Sequence, residues 1–190
     1  MQGKIFEGDY KTRCKNIDSL LCVGDTIDML KREIRLGDRH AVFYMIDGFL
    51  KGEVLEKIME FFLSLAPEDV PETYEDFLKK CTPYGDIVTV TTEQDFLHYV
   101  LSGLTGFVVE GYDEILVIDL RDYPSRSVEE PDKDKVLRGS RDGFVEAIMP
   151  NIALIRRRIR DVDLKFEIYS IGSSSRTDIS VVYMKDRVNQ

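Results

Sequence analysis

Ala41-Val42-Phe43-Tyr44-Met45-Ile46 is an uninterrupted apolar run that ends at the turn pair Asp47-Gly48. A short apolar run closed by a turn signal is typical of a buried β-strand. In the segment that follows, apolar residues recur at helical spacing, and Pro67 ends the pattern. These residues are Val54, Leu55, Ile58, Phe61, Phe62 and Leu65. A buried strand followed by an amphipathic helix predicts the start of an α/β fold.

The chain on either side of this pair supplies further strands and helices. Upstream, the apolar residues of 26–36 have mixed periodicity, so both a strand and a helix fit them. Downstream, residues 66–85 have the composition of a loop, with one helical turn near 73–80. Beyond that loop we predict a strand at 87–91 and a helix at 93–101, which begins after Thr92. A hairpin follows, with strands at 106–110 and 114–120.

Residues 121–140 differ from the rest of the chain. They hold two prolines, many charges and few large apolar side chains, which is typical of a linker. After them, apolar residues of 144–159 lie at helical spacing, although Pro150 should bend or break that helix. Two strands are predicted next, around a polar turn. We therefore predict a first α/β subdomain at 1–121, a linker at 122–140 and a partial second α/β subdomain at 141–190.

An internal repeat relates the two halves of the chain. Four residues of the first half recur 135 positions later, and three more recur 139 positions later, after a longer turn. The pairs are Asn16/Asn151, Ile17/Ile152, Asp28/Asp163 and Gly37/Gly172, then Tyr44/Tyr183, Met45/Met184 and Asp47/Asp186. The fold class predicted is therefore two related α/β modules with mixed sheets, the second incomplete in this chain. We expect an unfinished module to leave an apolar patch exposed.

Composition and charge exclude several classes of protein. The chain has 190 residues, 43% hydrophobic and 32% charged, as a globular protein has. Its net charge of −9 argues against non-specific nucleic-acid binding, which needs a basic face. The longest stretch without Asp, Glu, Lys or Arg has 14 residues, from Phe96 to Val109, and a membrane span needs about 18 to 20. The N-terminus does not resemble a signal peptide.

No residue set predicts catalysis, a metal or a cofactor. The two histidines, His40 and His98, are far apart in sequence and belong to no metal-ligand spacing. The three cysteines form no C-x-x-C pair and are expected to be reduced. No G-x-S-x-G motif is present. We therefore expect a protein that is not an enzyme.

Arginines cluster in Arg156-Arg157-Arg158-Ile159-Arg160, at the end of the predicted helix of 144–159. Ten basic and seven acidic residues fall within 121–160, so this stretch is positive in an acidic chain. Two interpretations are open. The arginines complement the negative end of the helix dipole, or they form a bidentate clamp on carboxylates elsewhere, such as Glu129, Glu130 or Glu146, and so fix the angle between the modules.

The same region resembles a known family. Three segments carry the resemblance: Arg126-Ser-Val-Glu-Glu-Pro131, then Val136-Leu-Arg-Gly-Ser-Arg-Asp-Gly-Phe-Val-Glu146, then Asn151-Ile-Ala-Leu-Ile-Arg-Arg-Arg-Ile-Arg160. They are similar to the signature of the GerA family, the A subunits of bacterial spore germinant receptors, of which stage V sporulation protein AF is a close relative. Tyr44-Met-Ile-Asp-Gly48 and Leu101-Ser-Gly103 extend the likeness, which covers about residues 40–190. One departure is Ser140, where the family usually has proline.

The resemblance implies an architecture and a set of partners. Family members have a soluble N-terminal region of two α/β subdomains before a helical membrane domain. They lie in the inner spore membrane, work with B and C subunits, and assemble into oligomeric, ligand-gated ion channels. This chain departs by ending before the second subdomain is complete and before any membrane helix. The implied location of the domain is the core-facing side of that membrane.

Two functional hypotheses follow from the residues and the resemblance together. In the first, the chain is the N-terminal domain of an A subunit and acts in receptor assembly and germination signal transduction. In the second, it binds a small-molecule germinant in a cleft between its two lobes. For the first hypothesis, the residues expected to couple modules or subunits are Arg126, Glu129, Glu130, Arg138, Arg141, Glu146, Asn151, Arg156, Arg157, Arg158 and Arg160.

Overall fold

A computed structural model describes residues 3–82, 86–123 and 143–188. The five helices in these ranges are α1 (Tyr10–Leu20), α2 (Gly52–Ser64), α3 (Tyr74–Lys80), α4 (Glu93–Leu101) and α5 (Ile148–Arg158). The seven strands are β1 (Met29–Leu36), β2 (Arg39–Ile46), β3 (Ile87–Val90), β4 (Thr105–Val109), β5 (Ile115–Ile118), β6 (Leu164–Ile171) and β7 (Thr177–Met184). The predicted α/β class is confirmed, and α1 is a helix that the sequence analysis did not anticipate.

The strands form a five-stranded sheet of order β1-β2-β4-β5-β3 and a separate hairpin, β6-β7. Every ladder between the named strands is antiparallel, whereas the sequence analysis expected mixed sheets. The reason lies in the placement of β5. The crossover β3-α4-β4 does give two strands of the same direction, but β5 lies between them and pairs with each in the opposite sense.

Strand β2 lies inside the five-stranded sheet, and the six residues from Ala41 to Ile46 are all buried. On one face, Val42, Tyr44 and Ile46 pack with residues of α1 and α4. On the other face, Ala41, Phe43 and Met45 pack with residues of α2 and α3. Helices cover both faces, so alternate residues of β2 meet apolar partners on either side. The predicted buried strand is confirmed.

The second half of the chain repeats the element order of the first. Helix α5 and the β6-β7 hairpin follow one another as α1, β1 and β2 do. Gly37 and Gly172, a matched pair of the repeat, both have positive φ in the turn of their hairpin. Pro150 lies in the first turn of α5, where its missing N–H has no intrahelical partner to lose, so it does not break the helix. We call residues 10–118 the first module and residues 148–184 the second module.

The outer part of the β6-β7 hairpin presents apolar side chains to solvent. The exposed residues include Ile168, Tyr169, Ile171, Ile179, Val181 and Val182. Because side chains alternate along a strand, these residues lie on both faces of the hairpin. The predicted exposed apolar patch on the second module is confirmed.

Candidate functional site at the junction of the modules

A buried ion pair joins the second module to the first. Arg156, in the last turn of α5, contacts the carboxylate of Asp28 in a bidentate manner, with Nε–Oδ2 at 2.6 Å and Nη2–Oδ1 at 3.1 Å. The side chains of Arg156 and Asp28 are 1% and 0% exposed. Arg156 also donates to the carbonyls of Asp161 and Leu164, and its guanidinium lies 5.1 Å from the centre of the Phe166 ring. Two carbonyls and a ring of the second module therefore hold this arginine in place, and Asp28 ties it to the first module.

Asp28 is fixed in turn by its own neighbours. Its Oδ1 accepts a hydrogen bond of 2.6 Å from the hydroxyl of Thr26, and its carbonyl accepts one from the N–H of Asp47. The Thr26 hydroxyl also accepts from the N–H of Phe166, and the N–H of Ile27 donates to the carbonyl of Phe166. The strand β6 is thus bonded to the segment that leads into β1. A buried charged pair is tolerated when its remaining hydrogen-bonding groups are satisfied in this way.

Apolar packing reinforces the ion pair. Ile152, Leu164 and Phe166 form a small buried cluster to which Ile27 of the first module contributes. Beside this cluster, a Cβ added to Gly48 would lie 2.9 Å from the Cβ of Ala153. Gly48 therefore admits α5 at a distance that any larger residue would prevent.

The described carboxylate partner of Arg156 is Asp28, which was not among the carboxylates proposed from the sequence; a clamp of the other arginines on Glu129 or Glu130 stays a prediction. Glu129 and Glu130 lie outside the described residues, and Glu146 is exposed while the buried arginine pairs with Asp28. The repeat did single out Asp28, but as one member of a matched pair and not as a partner for arginine. No sequence signal connects two residues that are 128 positions apart.

The other predicted coupling residues occupy different places. Asn151 exchanges two hydrogen bonds with the backbone of Val145 and so holds the chain that enters α5. Arg157 and Arg158 are exposed, as is Arg160, which lies beyond the helix. Arg126, Arg138 and Arg141 lie outside the described residues. The roles of these residues in coupling, and the domain boundaries at 121 and 140, stay predictions.

A second set of contacts surrounds Tyr123, where the chain leaves the first module. The guanidinium of Arg157 lies 4.5 Å from the centre of the Tyr123 ring, and the Tyr123 hydroxyl donates to the carbonyl of Ser102 at 2.6 Å. Arg121 lies 6.0 Å from the same ring and pairs with Asp119. The hydrogen bond from Arg121 lowers the pKa of the Asp119 carboxyl, so both groups are charged near neutral pH.

A cavity of about 440 Å³ opens next to these contacts. Its lining combines the start of β3, the end of α4 and the segment after β5 with one residue of the segment that follows α5. Among the lining residues are Asp86, His98, Asp119, Arg121 and Arg160. Nη1 of Arg160 donates to the hydroxyl of Ser102 at 3.1 Å. The cavity therefore lies at the edge of the junction and offers groups of both charges.

Comparison with known proteins places the chain in a family. The model of the family described as Bacillus/Clostridium GerA spore germination protein matches residues 17–190. Stage V sporulation protein AF of Bacillus subtilis (strain 168) is 36% identical over 182 residues, which cover 93% of this chain and 37% of that protein. Spore germination protein GerLA of Bacillus cereus is 27% identical over 192 residues, which cover 100% of this chain and 38% of that protein. The chain thus spans less than two fifths of the length of these relatives.

A solved structure shows the same fold. The N-terminal domain of the A subunit of the Bacillus megaterium spore germinant receptor GerK3 superposes with a TM-score of 0.68 at 19% identity. The match covers 96% of this chain and 67% of that one. None of the helices in the described part of this chain has the length and apolar character that a membrane span requires.

Proposed function

Because the chain belongs to the GerA family of spore germination proteins, we propose that it is the N-terminal domain of a germinant-receptor A subunit. In this role it acts in receptor assembly and germination signal transduction at the inner spore membrane, and not as an enzyme. Its partners are the B and C subunits and further A subunits. The relatives, which are germination and sporulation proteins, support the proposal.

One observation supports a coupling role above all: the two modules share a buried ion pair. A change in the angle between the modules would separate Arg156 from Asp28 and leave two buried charges without partners. Because that cost is high, the junction favours one arrangement strongly over others. A domain built in this way transmits a movement of one module to the other instead of absorbing it.

We expect Arg157→Ala to lower the amount of assembled receptor without changing which nutrients trigger germination. The substitution removes the contact with Tyr123, and a cation–π contact of this kind contributes about 0.5–1 kcal/mol. The measurement is the level of full-length A subunit in spore membranes, together with germination in several nutrients. Arg187→Ala, at an exposed arginine three residues beyond the second module, is the control. Wild-type receptor levels and wild-type thermal stability of the Arg157→Ala variant would contradict the coupling role.

The cavity supports a second candidate function, the binding of a small-molecule germinant. A pocket between structural units, lined by a few charged groups, is a common ligand site. We expect one compound in a panel of amino acids, sugars and nucleosides to raise the melting temperature of the chain at millimolar concentration. A ligand present at 100 times its dissociation constant raises the free energy of unfolding of the protein by about 2.7 kcal/mol. Arg160→Ala should abolish the shift, and the absence of any shift across the panel would exclude this function.

A further inference from the structure

Lys165 of β6 is buried without a partner. Its side chain belongs to a residue that is 1% exposed, and Nζ has no hydrogen-bond partner in the described part of the structure. The other two cationic residues that are buried in the described ranges have partners: Arg13 donates to backbone carbonyls of the β4-β5 turn, and Arg156 pairs with Asp28. A buried charge that lacks a partner destabilises the arrangement that buries it.

The position of Lys165 on β6 indicates that the arrangement it destabilises is the docking of the second module on the first. Leu164 and Phe166, its neighbours on β6, point to α5 and the small apolar cluster, so Lys165 points to the opposite face of the hairpin. The first module approaches β6 at this point through the hydrogen bonds of Thr26 and Ile27 with Phe166. Lys165 is also close enough to Asp25 of the same segment to contribute to lowering the pKa of that carboxyl, mainly lowered by a hydrogen bond from Lys185. Burial of Lys165 thus depends on contact between the modules.

The interface between the modules therefore contains groups that stabilise docking and one group that destabilises it. The Arg156–Asp28 pair and the Gly48–Ala153 contact favour the docked arrangement. Lys165 favours separation, because an ammonium group that leaves the interface regains its water. Asp25 offsets only part of this cost, since its carboxylate pairs with Lys185 at 3.0 Å and makes no hydrogen bond with Lys165.

From these contacts we infer that docking of the second module on the first is a reversible step, distinct from unfolding, and that Lys165 sets its equilibrium by favouring the undocked state. Of the buried residues in the two-sided core of the first module, only Ala153 comes from the second module, so most of this core remains when the second module separates. Such partial opening is common in proteins whose parts differ in stability. This docking equilibrium is a property of the isolated chain and does not require the proposed receptor role.

Lys165→Met tests the inference, because methionine fills a similar volume without a charge. The measurement is native-state amide hydrogen exchange of the intact chain. The reporters are the N–H groups of Ile27 and Phe166, which bond across the junction, and the N–H groups of the β2-β4 ladder. We expect exchange of the two junction amides to slow by about tenfold, with no change in the β2-β4 ladder.

Two further variants complete the design. Arg187→Met removes an exposed cation that pairs, among the described residues, only with its neighbour Asp186 and should not slow exchange at the junction, which separates burial from net charge. Lys165→Leu should act in the same direction as Lys165→Met. Unchanged or faster exchange at Ile27 and Phe166 in both Lys165 variants would overturn the inference. Equal slowing in the junction and in the β2-β4 ladder would also overturn it, because the two modules would then open only by global unfolding.

Discussion

Replacing Arg156 with alanine is expected to lower the free energy of unfolding of the chain by about 3–5 kcal/mol. The substitution leaves Asp28, which is 0% exposed, as a buried carboxylate with Thr26 as its remaining side-chain partner. A loss of this size is a large fraction of the stability of a typical domain, about 5–15 kcal/mol. Denaturant unfolding followed by circular dichroism measures it.

A double substitution separates the net contribution of the ion pair to stability from the cost of leaving one buried charge without a partner. Arg156→Met combined with Asp28→Leu removes both charges, and we expect it to recover most of the stability that Arg156→Ala loses. Arg157→Ala, one position along the same helix, is the matched control and should cost no more than about 1 kcal/mol. If Arg156→Ala and Arg157→Ala cost the same, the buried pair does not hold the junction.

Gly48→Ala is expected to lower the free energy of unfolding by about 2–5 kcal/mol. Gly48 has φ +81°, a conformation that costs an L-residue about 1–2 kcal/mol, and its new Cβ would lie 2.9 Å from the Cβ of Ala153. Overpacking of a tight contact adds about 1–3 kcal/mol. The same unfolding experiment measures the loss, and exchange of the Ile27 and Phe166 amides shows whether the modules separate.

Two variants divide this loss into its causes. Gly24 has φ +89°, and a Cβ added there would meet nothing within 4 Å, so Gly24→Ala reports backbone strain alone. Ala153→Gly makes room for the methyl group, at a cost of about 1 kcal/mol because glycine lowers helix stability. In the Ala153→Gly background we therefore expect Gly48→Ala to cost no more than Gly24→Ala does in the original chain. An undiminished cost of Gly48→Ala in that background would mean that contact with α5 is not what constrains this position.

Local pattern was enough to predict several of the elements that contain the core, although not α1. The apolar run of β2, the helical spacing of α2 and the Thr92 cap of α4 each depend on neighbouring residues, and the structure confirms them. The α5 helix also follows its apolar spacing, but it begins only at Ile148, which leaves Phe144 exposed. The boundary was missed because apolar spacing alone does not show where burial begins.

The junction could not be predicted, for a physical reason. The partner of Arg156, the cover over Lys165 and the contact of Gly48 with Ala153 are all set by tertiary packing between segments far apart in sequence. Several acidic residues near α5 were equally good partners for arginine by charge and spacing. Only burial distinguishes Asp28 from them, and burial depends on the whole fold.

The separation of 128 residues between Asp28 and Arg156 also affects when the ion pair forms during folding. Contacts between segments this distant form late, because the chain must first lose the entropy of closing a long loop. During synthesis, at about 5–20 residues per second, Arg156 follows Asp28 by roughly 6–26 seconds. The last strand of the first module ends at Ile118, so that module is complete for only the final 2–8 seconds, roughly, of this interval, and Asp28 stays in water until α5 and β6 arrive.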